Sequence, residues 1–509
     1  MMRNTFTKRS LPHRRGLALG IAAILVLIVS KAAPIAAQGA DASYVHIAAG
    51  SDFTFAIQSN GTLWAWGDNT YGELGDGTTT TRMQPVAVAE PAGAAPSSRW
   101  VRIFAHVPST PVYGLRSDQT LWRWGANQTR PVVVPLAAIL LSGATLLDLS
   151  FSAQHCLALY SDGTLMSWGA NSQGQLGIGA AAGTGSVATP TPVVTPAGAV
   201  SGTRWTSIEA DANQSFAVRS DGTLWSWGGV PVINPSTLGH PVTAAGCFTP
   251  EPVPHPAGAA SGTGWASVEA GETHTLGLRS DGTLWAWGFS NNGALGQGIV
   301  TTSTAAPLPV PVPAGLPVAT RWQRVQAGSH TNQGILSNGS LWTWGYNLFG
   351  QLGANSSNAS EFTPQQEYNQ ETWTQSALGV YHAVALSRGR VYVTGNGPNG
   401  QLGLGNATSR LYFFVRVVGL PLAVQSSQLG GFATQLFPNP VASGELITGA
   451  TDATKNSDYA ALINSHGQTV CKILVADNRF VLPATAPGIY LIRFYGQERF
   501  LGTSRITIK

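Results

Sequence analysis

The sequence predicts an all-β protein, a seven-bladed β-propeller followed by a small β-sandwich. Three observations carry this. A tryptophan-rich hairpin is written seven times, at spacings of 44 to 60 residues. Gly (60) and Pro (31) are frequent while charged residues make up only 10%, the composition of many short strands joined by turns. The last 75 or so residues drop the repeat for a different alternation of strand and turn. A chain of 509 residues exceeds one small core. Its 16 Trp and 43% apolar residues argue against disorder.

The cleanest copy of the repeat is Ser280-Asp281-Gly282-Thr283-Leu284-Trp285-Ala286-Trp287-Gly288. Asp281-Gly282 reads as a two-residue hairpin turn, in which both residues tolerate positive φ. In the strand that follows, Thr283, Trp285 and Trp287 face one side while Leu284 and Ala286 face the other. Residues 265–271 and 275–279 read as two preceding strands. Asn291-Asn292-Gly293-Ala294-Leu295-Gly296 reads as loop, and a Pro-Val segment supplies a fourth strand. One unit is thus a four-stranded antiparallel sheet.

The strand ends Trp66-Gly67, Trp124-Gly125, Trp168-Gly169, Trp227-Gly228, Trp287-Gly288, Trp344-Gly345 and Thr394-Gly395 mark seven units. Two turns break the rule: Asp118-Gln119 and Arg388-Gly389 place residues that resist positive φ, so another turn type is expected there. A small sheet cannot bury both faces alone, and radial stacking into a closed ring solves this. Closure is expected from a shared sheet of Tyr44–Ala49 with residues 411–418. A second periodicity, Pro91-Ala92-Gly93 to Trp100, Pro196-Ala197-Gly198 to Trp205, Pro256-Ala257-Gly258 to Trp265 and Pro313-Ala314-Gly315 to Trp322, predicts four equivalent loops on one surface, either a contact face or duplicated filler.

The order Ala270-Gly271, His274-Thr275, Ser280 to Gly288, then Asn292-Gly293-Ala294-Leu295-Gly296 resembles the regulator of chromosome condensation repeat family. The resemblance covers residues 44–420 and implies a seven-bladed propeller. Units two and four depart from it, with Asn127-Gln128-Thr129-Arg130 and Gly229-Val230-Pro231-Val232 in place of the Gly-x-Leu-Gly loop, and unit seven replaces the aromatic pair with Tyr392 and Thr394. The family's founder promotes guanine nucleotide exchange on a nuclear GTPase; that activity is not expected of an exported chain. Other relatives use the propeller as a protein-binding platform.

Residues 1–37 read as a signal peptide, with a basic start ending at Arg14-Arg15, an apolar run from Gly16 to Val29 and small residues near Ala36-Ala37. The apolar run is short for a bilayer span, so no stable membrane span is expected after processing. Residues 421–435 read as a linker. Residues 436–509 read as strands at 459–463, 469–473 and 488–494 around a turn at Asn464-Ser465-His466-Gly467, a small sandwich of immunoglobulin-like type. Pro438-Asn439-Pro440, His466-Gly467, Gly488-Ile489-Tyr490 and the terminal Ile506 to Lys509 resemble the type A sorting domain of the type IX secretion system. That resemblance implies the type IX machinery as a partner, and a mature protein secreted or attached to the outer face of the outer membrane.

The basic pI near 9.0 comes from the leader. Its six cations and no acid leave the remainder with 22 cations against 24 acids, and between 38 and 436 there are 15 Arg, no Lys and 19 acids. Nucleic acid binding is disfavoured accordingly. Cys156, Cys247 and Cys471 stand in unrelated contexts and read as buried or incidental thiols.

The chemistry-bearing slot after each Ala-Gly holds Phe53, Pro111, His155, Gln214, His274, Thr331 and His382. Three imidazoles converging on the axis would make a metal site, but the variety of the slot favours a hydrogen-bonding turn residue. Asp162, Asp221 and Asp281 are explained by their turns. No acid pair stands out as glycosidase chemistry would require, and no nucleophile elbow, zinc motif or phosphate loop is present. No catalytic, metal or cofactor-binding residue and no cofactor are therefore expected. The expected function is non-enzymatic, an interaction module for an extracellular protein or glycan. The alternative is an exported hydrolase acting on polysaccharide or peptide at the propeller axis.

Overall fold

The computed structural model describes residues 43–106, 110–134, 143–229, 237–240, 247–298, 304–408 and 410–417, and the backbone of the strands between 436 and 508. The expected leader, the linker and the turn at 464–467 lie outside the described residues. Seven four-stranded antiparallel sheets follow one another along the chain, each with its strands in sequence order. Blade five is typical: Trp265–Ala270, His274–Arg279, Leu284–Gly288 and Thr304–Val310. The first strands of all seven blades, Tyr44–Ala49, Trp100–Phe104, Leu146–Phe151, Trp205–Asp211, Trp265–Ala270, Trp322–Ala327 and Trp373–Leu378, line one cavity. This is a seven-bladed β-propeller viewed down its axis.

Strand alternation sorts each blade into two faces. Trp265, Trp285 and Trp287 pack against Phe216, Val218 and Leu224 of blade four. Leu276, Leu284 and Ala286, on the other side, pack against Trp322 and Trp344 of blade six. The two junctions flanking blade five therefore set tryptophans of one blade against mostly aliphatic residues of the blade before it.

Ring closure differs from expectation. Tyr44–Ala49 pairs with Phe53–Gln58 of blade one, and Arg410–Arg416 pairs with Arg390–Asn396 of blade seven, so no sheet is shared between the chain ends. Blades one and seven each own four strands, and their junction closes by side-chain packing and hydrogen bonds rather than by strand pairing. Tyr44, Ile47 and Trp66 bury against Val384, Leu386 and Val393, and Tyr44 N donates to Gly389 O at 2.8 Å. The same contact, Trp265 N to Gly222 O at 2.8 Å, joins blades four and five.

The turns differ too. In blade five Gly282 N donates to Arg279 O and Arg279 N to Thr283 O, both at 2.9 Å, which closes a three-residue loop. Only Gly282 is left-handed (φ +75), and Asp281 is not. This is a type I turn with a glycine bulge. Asp281 serves instead as an acceptor, with Oδ1 taking Thr283 N at 3.0 Å and Thr283 Oγ1 at 2.7 Å. Thr283 Oγ1 in turn accepts Trp285 Nε1 at 3.0 Å. That relay is why the Asp-Gly-Thr-Leu-Trp order recurs, and Asp221-Thr223-Trp225 repeats it. Gln119 and Arg388, expected to avoid positive φ, adopt it at 65° and 49°. Gln119 keeps the three-residue loop in the glycine position. Arg388-Gly389 is the two-residue turn, with Ser387 paired directly to Arg390.

In the tail, Leu436–Phe437, Leu446–Gly449 and Arg479–Val481 form one antiparallel sheet, and Tyr459–Ile463, Thr469–Leu474, Gly488–Gly496 and Arg499–Ile508 form another.

Candidate functional site

The four repeated Pro-Ala-Gly loops do share a face. Each ends on the blade's own hairpin turn: Ser117 N to Arg99 O, Ser220 N to Arg204 O, Ser280 N to Gly264 O and Ser337 N to Arg321 O, all at 2.8 Å. In three of the blades a buried arginine holds the loop from beneath. Arg116 donates to Ser98 O at 2.6 Å and Arg219 to Thr203 O at 2.6 Å, and Arg279 donates to the Thr263 carbonyl. Each guanidinium also lies over a blade tryptophan, Trp100, Trp205 or Trp265, at 4.9, 4.9 and 5.3 Å. The loops are thus fixed in place. The opposite face carries the first-to-second strand turns and the Gly-x-Leu-Gly loops.

The histidine slot lies toward that opposite face, and its rings do not converge. His155 Nε2 meets Ser215 Oγ at 2.7 Å, His274 Nε2 meets Asn332 Oδ1 at 2.6 Å, and His382 Nε2 meets Thr54 Oγ1 at 2.8 Å. Each partner belongs to the next blade, so the imidazoles fasten neighbouring sheets. Burial pushes all three down to about 4, keeping them neutral. Among the described residues no group of three or more His, Cys, Asp or Glu is placed to hold a metal ion. Cys156 and Cys247 are free thiols.

The axial cavity, about 670 Å³ in volume, gathers a set of charges that sequence reading missed. Glu209 and Glu269 occupy the same position in the first strands of adjacent blades, four residues after Trp205 and Trp265. Their nearest partners are neutral donors, Ser150 Oγ to Glu209 Oε2 and Gln326 Nε2 to Glu269 Oε2, both at 3.2 Å. Both carboxylates lie deep in the disc with one side open to the cavity. Burial raises the pKa of Glu209, and the charges of Glu269 and Asp211 raise it further. Burial and then Asp148 raise Glu269, with Arg102 opposing.

Around the pair, Arg102 bridges Asp148 at 2.8 Å and His106 approaches Asp211 at 3.5 Å. His46 binds Ile103 O at 3.1 Å and Gln375 Nε2 at 3.1 Å; burial first, and Arg102 next, hold it down at about 4 despite the bond to Ile103. Burial and neighbouring acids favour the protonated form of each carboxyl, so the arrangement can donate and accept protons or meet a cationic or hydroxylated group. The signal was legible in principle, as Ser207-Ile208-Glu209-Ala210 against Ser267-Val268-Glu269-Ala270 when the units are compared column by column.

Comparison with known proteins agrees with the geometry. The family model described as the RCC1-like domain matches residues 128–470, and the regulator of chromosome condensation (RCC1) repeat matches residues 44–73 and 60–107. Ultraviolet-B receptor UVR8 of Arabidopsis thaliana is 27% identical over 376 residues, covering 72% of this chain and 79% of that protein. Human E3 ubiquitin-protein ligase HERC2 is 26% identical over 387 residues, 70% of this chain but 7% of that much longer protein. Among solved structures, human WBSCR16 (TM-score 0.58, 20% identity, 69% of this chain and 88% of that one) and Prp20p of Saccharomyces cerevisiae (TM-score 0.57, 18% identity, 77% and 90%) share the fold. Seven blades of matching architecture and a family model spanning most of the chain place this protein in the RCC1-like propeller family.

Proposed function

We propose that this protein is an exported interaction module, secreted or held at the outer face of the outer membrane, whose propeller binds an extracellular protein or glycan. The observation that carries this reading is the pre-set display: four loops of one length on one face, three clamped by buried arginines over tryptophan. Loops that are already ordered lose little entropy on association. The histidines, by contrast, are committed to holding blades together. The named relatives include a receptor, UVR8, which fits a disc used for recognition. The absence of Lys between 38 and 436 disfavours nucleic acid as the partner.

Export rests on the basic and apolar leader and on the tail motifs, with the tail's two antiparallel sheets assembling as a small immunoglobulin-like sandwich read by the type IX machinery. The test is mass spectrometry of supernatant and surface fractions from a host with that machinery. Propeller peptides outside the cell with both ends trimmed are expected, and intact precursor confined to the cytosol would overturn the proposal.

A second reading, an exported hydrolase acting at the axis, is favoured by one observation, the Glu209 and Glu269 pair with its raised pKa values. Release of reducing sugars or peptides from a substrate panel, abolished in Glu209→Gln and Glu269→Gln, would establish it. No turnover on any substrate leaves the interaction module.

A further inference from the structure

On the face opposite the four repeated loops, the connection between the third and fourth strands of blade six differs from its counterparts. It reads Tyr346-Asn347-Leu348-Phe349-Gly350, against Asp68-Asn69-Thr70-Tyr71-Gly72 in blade one, Ala170-Asn171-Ser172-Gln173-Gly174 in blade three and Asn396-Gly397-Pro398-Asn399-Gly400 in blade seven. Its Phe349 ring sits 4.8 Å from Tyr381 of blade seven and 6.2 Å from Tyr346. The Arg410 guanidinium lies 5.5 Å from the Phe349 ring and donates to Tyr412 OH at 3.0 Å. Leu348 is 46% exposed and Tyr381 38%. A cluster of apolar and aromatic side chains on a surface loop is unusual unless it meets something.

The cluster is held rigid. Asn347 is buried, its Nδ2 donating to Ser356 O and Asn358 O at 3.0 Å each and its Oδ1 accepting Leu352 N at 3.2 Å. Phe349 N donates to Gln351 Oε1 at 3.0 Å. Tyr381 directly follows Val380, which lines the axial cavity together with Asp211 of blade four and Glu272 beside blade five's first strand.

We infer that this seam between blades six and seven is a binding subsite for a neutral oligosaccharide, with Tyr381 as the stacking platform, Leu348 as its apolar border and the carboxylates of the axial mouth as acceptors for sugar hydroxyls. The inference rests on the interaction-module reading, adds a second surface on the face opposite the loops and names the ligand of that surface. Charge argues for it. Arg410, the cation of the cluster, is engaged by Phe349 and Tyr412, and the acids at the mouth repel an anionic ligand while accepting hydroxyl hydrogens. Shape argues for it as well: a half-exposed ring suits the C–H face of a pyranose, whereas a protein hot spot calls for a deep pocket that excludes water.

The test is calorimetric titration of the full chain with neutral and uronic-acid oligosaccharides, repeated on variants checked for an unchanged melting temperature. Binding of a neutral oligosaccharide is expected to weaken about tenfold or more in Tyr381→Ala, a loss of about 1.4 kcal/mol. Leu348→Ser should weaken it in the same direction. Tyr381→Phe, which keeps the ring face, and Tyr71→Ala, on the equivalent loop of blade one, should leave it nearly unchanged. Neutral-sugar affinity indifferent to Tyr381→Ala and Leu348→Ser, or preference for the acidic oligosaccharides, overturns the inference. A defined protein partner bound with no oligosaccharide binding also overturns it, while leaving the interaction-module reading intact; that reading fails separately if the protein is never found outside the cell.

Discussion

The indole Nε1 of Trp66 donates to the backbone carbonyl of Gln401 at 2.9 Å, joining residues 335 positions apart. The same bond recurs at four other junctions: Trp124 to Glu73 at 2.7 Å, Trp227 to Gln175 at 2.9 Å, Trp287 to Thr237 at 2.7 Å and Trp344 to Ala294 at 3.1 Å. In each case the tryptophan of one blade catches the loop carbonyl of the blade before it. Closure is therefore one more copy of the interior junction. Trp66→Phe and Trp287→Phe remove equivalent bonds between fully buried groups and should each cost about 1–3 kcal/mol. Urea unfolding of the two variants should give losses of similar size. A much larger loss for Trp66→Phe would mean that the seam between first and last blades is a special weak point.

Within a blade, the two tryptophans meet across a residue of the second strand. In blade five that residue is Gly277, where a methyl group would lie 2.3 Å from Trp265 Cζ3 and 3.0 Å from Trp287 Cζ3. The ring centroids there are 5.7 Å apart, whereas in blade four, with Ala217 at the same register, they are 6.1 Å apart. Gly277→Ala should force the blade-five pair to spread, at about 1–3 kcal/mol by overpacking. Thermal unfolding reads the cost, and a neutral result would show that the pair yields freely.

Stability should fall at both ends of the pH scale for different residues. His155, His274 and His382 are held at about 4 by burial, below their unfolded value of 6.5. Their contribution is complete above 6.5 and is lost as pH falls toward 4, up to about 3 kcal/mol per ring. Glu209 and Glu269 shift the other way, upward from 4.5, so their contribution is complete below the ordinary glutamate range and is lost as pH rises through the raised values. Melting curves across pH should show a shallower acid limb in His274→Gln and a shallower alkaline limb in Glu269→Gln. Unchanged limbs would show that the groups titrate normally in the folded ring.

What the sequence disclosed follows from what is local. Strand alternation places Trp285 and Leu284 on opposite faces, and the prediction from residue spacing matches the junction cores. The turn was misjudged because Asp-Gly suits both a two-residue and a three-residue loop, and the deciding bond, Asp281 to Thr283, is a side-chain choice. Closure was misjudged because Trp66 looks like every other copy while its partner lies at the far end of the repeats. Glu209 and Glu269 were passed over because neither is unusual in its own unit, and only the ring brings the two columns to one axis.

Blade seven shows how the ring tolerates a missing tryptophan. Thr394 stands where the other blades place an indole, and Phe414 of the outermost strand fills the space. A methyl on Gly353 would meet Phe414 Cε2 at 2.6 Å, as one on Gly296 would meet Trp344 Nε1 at 2.8 Å. The facing wall of blade six is unusually polar. Gln333 pairs in register with Thr343 where blade five pairs Leu276 with Ala286. All four are fully buried, yet neither amide atom of Gln333 nor the Thr343 hydroxyl has a protein partner. Buried polar groups left unpaired cost about 1–3 kcal/mol each. Transplanting the blade-five pair, Gln333→Leu with Thr343→Ala, should therefore raise the melting temperature, with Gln333→Leu alone giving most of the gain. A fall on both substitutions would mean that this polar wall is satisfied within the folded ring and serves the junction as it stands.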